Sequence, residues 1–316
     1  FITKEFYEKH CDKEREPVIC CVGHTHIDCA WLWTLRVTED KAVRSFSTVL
    51  NLMKQYPEYI FMSSQPQLYK FVKKNAPQVY EQIKERVKEE RWETEGGMFV
   101  EADCNLASGE ALVRQFMHGK KFFRDEFGTD NKILWLPDVF GYSAALPQIM
   151  QKCGIPYFMT TKISWNELNK MPYDTFEWEG IDGSRVLTHF IPTRDYNKAA
   201  VEGGTETEHF TTYNGYLNPS QMKGGWARYS QKDLNDEVLC SFGFGDGGGG
   251  PSKEELENQR RMELGIPGCP RTKMSTALDF FERLDKETKG SKYLPSWVGE
   301  LYLEYHRGTY TSMARN

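Results

Sequence analysis

Short apolar runs alternate with amphipathic stretches along most of this chain. That alternation predicts an α/β fold whose strands lie largely parallel. Val18 to Val22 reads as the first strand. Behind it Ala42, Val43, Phe46, Val49, Leu50 and Met53 recur at helical spacing, which predicts a helix from about Glu39 with Thr38 as its cap. Tyr59 to Ser63 predicts a second strand, followed by two helical stretches, one with Leu68, Phe71 and Val72, the other with Val79, Tyr80, Ile83 and Val87. Arg91 to Glu95 predicts a third strand that stops at Gly96-Gly97. Ser108 to Phe127 is helical, and Gly128 can end it in a left-handed conformation. A strand over Lys132 to Pro137, a helix over Ala144 to Cys153 and a strand over Tyr157 to Thr160 continue the rhythm.

The rhythm breaks at Phe176 to Ile191, where an Asp182-Gly183 turn between two apolar halves predicts a β-hairpin. Thr193 to Asn235 is polar and Gly-rich and predicts long loops with one helix. Glu237 to Gly245 predicts a strand ending in GDGGGGP, helices follow from about Ser252 and Thr276, and Trp297 to Tyr305 predicts a last strand.

Composition narrows the class. A chain of 316 residues suffices for one large domain or two modest ones. The net charge is −5 with acid and base well mixed, and no basic stripe points to nucleic acid. No run is long and apolar enough to suggest a membrane span, and no secretory leader is visible. The eight cysteines, Cys11, Cys20, Cys21, Cys29, Cys104, Cys153, Cys240 and Cys269, form no CxxC pair, and several sit in apolar runs, so they read as reduced thiols of a cytoplasmic protein. Aromatics make up 14% of residues, which suits a cleft that stacks on flat apolar faces of a ligand as well as a packed core.

In open α/β sheets and barrels, ligands bind at the carboxyl ends of strands. The polar residues in those places are His24, His26 and Asp28, then Glu101 and Asp103, then Asp138, Lys162, Asp246 and His306. His26-Ile27-Asp28 is the sharpest signal. On extended chain, residues two apart point the same way. Imidazole and carboxylate can then grip one metal, with His24 as a further candidate, and zinc suits such mixed N and O donors. Without a metal the same residues make a histidine-rich turn. Asp138 follows a buried apolar strand, where it fits a metal ligand, a nucleophile, both, or a plain helix cap. Asp246, in its glycine run, fits an acid poised over a substrate or a turn residue. The run lacks the pattern of a phosphate loop. His306 is a late histidine that could complete a metal site or serve structure. His10, His118, His189 and His209 read as structural or surface residues.

Together GHTHIDCAWLW, EGGMFVEADCN, WLPDVFGYSAALPQIM, FGFGDGGGGP and ELYLEYHRGTYTS resemble the catalytic domain of the class II α-mannosidases, glycoside hydrolase family 38, in its cytosolic and bacterial branch. The resemblance runs through nearly the whole chain in order. It implies a barrel-like, seven-stranded-type parallel sheet surrounded by helices. It implies that residues 1–316 are one α/β catalytic domain, a fragment without the helical-bundle and β-rich regions that follow in the family. It implies one zinc held by His26, Asp28, Asp138 and His306, with His24 nearby but not a ligand. Asp138 would be the nucleophile and Asp246 the acid/base of a retaining α-mannosidase. Trp31 would stack under the sugar, Phe140 would line the pocket, and Lys162, Glu101 and Asp103 would lie near the substrate, a mannose-containing oligosaccharide. The alternatives are a zinc-dependent polysaccharide deacetylase, in which a carboxylate serves as base, and a carbohydrate-binding module without turnover. Neither nucleic acid nor membrane is an expected partner, and oligomeric state is left open.

Overall fold

The first apolar run becomes β1 (Val18–His24), the strand around which the rest is arranged. The structure, a computed structural model, describes residues 16–193 and 212–306 together with Glu5; His10, Cys11 and His209 lie outside the described residues. Parallel to β1 run β2 (Phe61–Met62) and β8 (Glu237–Phe242), with β3 (Trp92–Glu93) beside β2. A further parallel strand, β9 (Arg271–Met274), pairs with the first half of β1. A second sheet has the order β10-β6-β7-β5-β4, built from β4 (Ile133–Trp135), β5 (Tyr157–Thr160), β6 (Thr175–Glu179), β7 (Arg185–Phe190) and β10 (Ser296–Val298). All its pairings are parallel except β6 with β7, the expected hairpin, whose turn places Gly183 at φ 80°.

The two sheets adjoin at two seams. Gly96, past β3, bridges Leu134 of β4. At the other seam the backbone N–H of Leu239 in β8 donates to Nε2 of His189 in β7 at 3.4 Å. These seams string β1-β2-β3-β4-β5-β7-β8 into one circuit, but among the described residues no ladder joins β3 to β4 or β7 to β8, so where a barrel-like sheet was expected there are two adjoining sheets. Strand alternation divides the side chains. Cys20, Val22, Met62, Ile133, Trp135, Met159, Leu187 and Leu239 turn to one interior cluster, plugged by Phe280, Phe281 and Leu284. Their neighbours Ile19, Cys21 and Phe61, or Leu134, Phe158 and Val186, face outward into two clusters shared with the helices.

Those helices are α1 (Leu35–Gln55), α2 (Pro66–Asn75), α3 (Pro77–Lys88), α4 (Gly109–Phe127), α5 (Leu146–Lys152), α6 (Pro219–Arg228), α7 (Lys253–Glu263) and α8 (Ala277–Thr288). Three begin where the sequence placed the start of a helix, and there Ser108, Ser252 and Thr276 each accept from a backbone N–H of the first turn. Gly128 ends α4 at φ 76°. Thr38 is a correction. It lies inside α1, whose cap position is Thr34, and its hydroxyl donates to the Cys29 carbonyl at 2.7 Å. The expected last strand shrinks to β10, although Leu301 still makes a bridge to Tyr142. β9 was not expected, and no described helix is long and apolar enough to cross a membrane.

Candidate active site

The candidate residues lie beyond the carboxyl ends of strands. His24, the last residue of β1, continues the inward row of Cys20 and Val22 and packs 5.4 Å from Trp135. Burial, then the charge of His26, pushes its pKa down to about 3, so His24 is a neutral core imidazole. His26 sits past the strand end and is also buried. Its Nδ1 lies 2.7 Å from Glu101 Oε2, and its Nε2 lies 3.1 Å from Asp28 Oδ1 and 3.5 Å from Asp138 Oδ2. Burial works against charge on His26, but Glu101 first, then Asp28 and Asp138, outweigh it and hold its pKa well above the ordinary value.

Donor atoms of His26, Asp28 and Asp138 all lie within 4.8 Å of one another, close enough to share one metal ion. His306 is not in that group. Its ring stacks on Phe140 with centroids 4.3 Å apart, at a backbone φ of 59°. Burial and then Lys162 lower its pKa while Asp138 raises it, which places it in the field of the same residues. The segment carrying it is fastened by Glu304, whose carboxylate accepts from the backbone N–H groups of Glu167, Leu168 and Asn169. Those bonds lower the Glu304 pKa to about 2.

Asp138 follows β4 and is paired with Lys162, which follows β5, at 2.5 Å from Nζ to Oδ1. Lys162 is buried and lies 3.6 Å from the Trp165 ring centroid and 5.0 Å from that of Phe140. Glu101 is occupied on both oxygens: Oε2 faces His26, and Oε1 accepts from Ser64 Oγ at 2.7 Å. Gln65 links this region to the metal-side loop, donating to the Ile27 carbonyl at 2.9 Å and accepting from Glu101 N at 3.2 Å. Asp103 is exposed and turns onto its own loop, accepting from the backbone of Asn105 and Leu106. Trp31 is 52% exposed, free to present its face to a ligand.

Asp246 is exposed in a turn closed by paired backbone bonds between Phe244 and Gly250, and it takes φ 50°. Tyr213 was not singled out in the sequence. Its ring meets that of His26 at 5.2 Å, and its phenol lies in the field of Asp138. Burial and then the charges of Asp138, Asp246 and Asp28 raise its pKa, so this phenol stays protonated amid three carboxylates. A lone tyrosine in a Gly-rich loop carries no spacing signal that could have found it.

One imidazole nitrogen and two carboxylates whose donor atoms lie within 4.8 Å of one another suit a shared positive charge. With Nδ1 of His26 taken by Glu101, Nε2 and the two aspartates form a mixed N and O donor set of the kind zinc accepts.

A family model described as "Glycosyl hydrolases family 38 N-terminal domain" matches residues 16–300. "Alpha-mannosidase G" of Dictyostelium discoideum is 43% identical over 311 residues, 98% of this chain and 27% of that protein. Human "Alpha-mannosidase 2C1" is 43% identical over 314 residues, 99% of this chain and 28% of that protein. The chain therefore spans little more than a quarter of these relatives. Among solved structures, an α-mannosidase from Enterococcus faecalis superposes with a TM-score of 0.72 at 17% identity, covering 90% of this chain and 31% of that one, a likeness of fold.

Proposed function

The chain belongs to glycosyl hydrolase family 38, and from that membership we propose that it supplies the catalytic domain of a zinc-dependent, retaining α-mannosidase. The observation that carries the reading is the convergence of His26, Asp28 and Asp138 within 4.8 Å, with Asp138 also paired to Lys162. His26, Asp28 and Asp138 would hold the zinc, with His306 as fourth ligand. Bound zinc would supply Lewis-acid binding of sugar hydroxyls.

The chain's own residues divide the remaining work. Asp138 attacks the anomeric carbon as the bond to the leaving oxygen breaks, giving a covalent mannosyl-enzyme. Asp246 gives its proton to the departing oxygen. It then takes a proton from water, whose oxygen attacks the same carbon and frees Asp138, so configuration is retained. Lys162 balances the charge of Asp138 before attack, and the protonated Tyr213 phenol faces the same carboxylate. Trp31 offers a face to the sugar and Phe140 lines the pocket. Asp103 and Glu101 would stand at its edge, although both Glu101 oxygens already have protein partners. The substrate would be a mannose-containing oligosaccharide. The proposed cytoplasmic setting rests on the free thiols of the seven described cysteines.

The test uses the full-length protein and an activated fluorinated α-mannoside that accumulates the intermediate. Mass spectrometry of the digest should find the sugar on the peptide containing Asp138, and Asp138→Asn should abolish turnover of aryl α-mannosides. A deacetylase, in which a carboxylate activates water, would leave Asp138 unlabelled, as would a module that only binds sugar.

A further inference from the structure

The loop that carries Asp246 is poor in means to hold itself. From Gly247 to Gly250 it has no side chains, yet Asp246 within it adopts a left-handed φ of 50°. Beyond the paired backbone bonds between Phe244 and Gly250, its fixation comes from outside. Lys41, Arg44 and Ser45 lie on one face of α1, spaced three and four residues apart as neighbours on a helix. Lys41 Nζ donates to the Gly247 carbonyl at 2.8 Å. The Gly248 carbonyl accepts from Arg44 at 3.3 Å and from the buried Ser45 hydroxyl. Glycine is required where this contact is made: Gly248 has φ 83°, and a Cβ there would stand 3.0 Å from Ile27 Cγ1.

Lys41 also reaches the other half of the site. Its ammonium sits 4.2 Å from the ring centroid of Trp33. Trp33 in turn donates to Thr38, whose hydroxyl holds the Cys29 carbonyl, next to Asp28. One lysine therefore connects the loop of the expected zinc ligands with the loop of the expected acid.

We infer that this face of α1 is a brace for proton delivery, and that Lys41 is a positioning residue which holds Asp246 at the leaving-group oxygen by gripping the adjoining carbonyl. The inference rests on the reading of Asp246 as general acid. A proton donor that drifts matters most when the departing oxygen is a strong base and least when the leaving group departs readily as an anion.

The experiment measures kcat/KM of the full-length enzyme for aryl α-mannosides spanning acidic to weakly acidic phenols, in wild type, Lys41→Met, Lys41→Arg, Ser45→Ala and Asp246→Asn. For the least acidic phenol, Asp246→Asn should lose about a hundredfold or more, as removal of a general acid does. Lys41→Met should lose on the order of tenfold with that phenol and much less with dinitrophenol, and Lys41→Arg should recover part of the loss, the effect being a partial version of losing the acid. The slope of log kcat/KM against leaving-group pKa is a ratio within each preparation, so loss of folded protein does not move it. If Asp246→Asn steepens the slope and Lys41→Met and Ser45→Ala leave it as in wild type, the brace is overturned. If Asp246→Asn itself leaves the slope unchanged, the assignment of the acid is overturned and the brace with it.

Discussion

Glu101 Oε2 lies 2.7 Å from Nδ1 of His26, and this contact decides which imidazole nitrogen faces Asp28 and Asp138. A histidine ligand whose second nitrogen is held by a carboxylate keeps its tautomer and its ring plane. Glu101→Ala should therefore weaken zinc binding by about 10- to 100-fold, the usual effect of removing such a partner. Glu101→Gln keeps an acceptor for the N–H and should lose less. Competition against a chromophoric chelator measures this without reference to turnover. Equal zinc affinity in wild type and Glu101→Ala would show that the contact does not orient the ligand.

Lys162 and Asp138 form the second relationship with a consequence. Lys162 is buried and the Asp138 side chain is only 10% exposed, and removing one partner of a buried pair costs up to about 3–5 kcal/mol because the other charge is stranded. Zinc on Asp138 would supply the missing positive charge. Lys162→Met should thus destabilise the zinc-free protein more than the zinc-loaded protein in urea unfolding. Equal losses in the two forms would mean that lysine and metal do not share this carboxylate.

Local chemistry was legible in the sequence wherever a single side chain decides the outcome. Ser108 and Gly128 bound α4 because a cap oxygen and a left-handed glycine act within one turn. The start of α1 was misplaced because Leu35 and Val37 are exposed, so apolar periodicity is silent through its first turn. β9 was missed because Arg-Thr-Lys-Met offers no apolar alternation; only its pairing with β1 makes it a strand. The site shows the same division. The His26-Ile27-Asp28 spacing could be read locally, as could the position of Asp138 at a strand end. The contacts of Glu101 and of Tyr213 with His26 join segments far apart in the chain, and no local pattern encodes them.

Stability should fall as pH rises through neutrality. Burial pushes Glu93 up to about 7, Glu95 up to about 8 and Glu255 up to about 7, from an ordinary 4.5. Between pH 4.5 and about 8 the folded chain holds protons on these groups that the unfolded chain has released. Stability from this source is fully present below 4.5 and is lost as pH climbs through the folded values. Glu95 has the largest share, since burial and the charge of Glu93 outweigh the bonds it accepts from the backbone of Ile133, Lys132 and Gly96. Glu95→Gln should flatten the decline in urea-unfolding free energy between pH 5 and pH 8. An unchanged slope would mean that Glu95 ionises in the fold at its ordinary pKa.

Gly119, in the middle of α4, gives a prediction in which two effects have opposite signs. Alanine in a helix interior is preferred over glycine by about 1 kcal/mol, so helix preference alone makes Gly119→Ala stabilising. The space denies it. A Cβ at this position would run into the Gly97 carbonyl oxygen and stand 2.5 Å from the Met98 carbonyl carbon, and both are backbone atoms that no rotamer can move. Overpacking of that kind costs about 1–3 kcal/mol or more, so the net effect should be a loss of stability. The displaced backbone leads directly to Glu101, through Phe99, whose N–H is bonded to the Gln115 carbonyl in the same helix. Relief of the clash should therefore move Glu101 from His26. Gly119→Ala should lower zinc affinity as well as the urea midpoint, while Gly128→Ala, with nothing within 4 Å of its Cβ, should lower only the midpoint. If Gly119→Ala proves as stable as wild type, the close approach of α4 to the loop after β3 is wrong; if it is destabilised with zinc affinity intact, the path from Gly119 to Glu101 is broken.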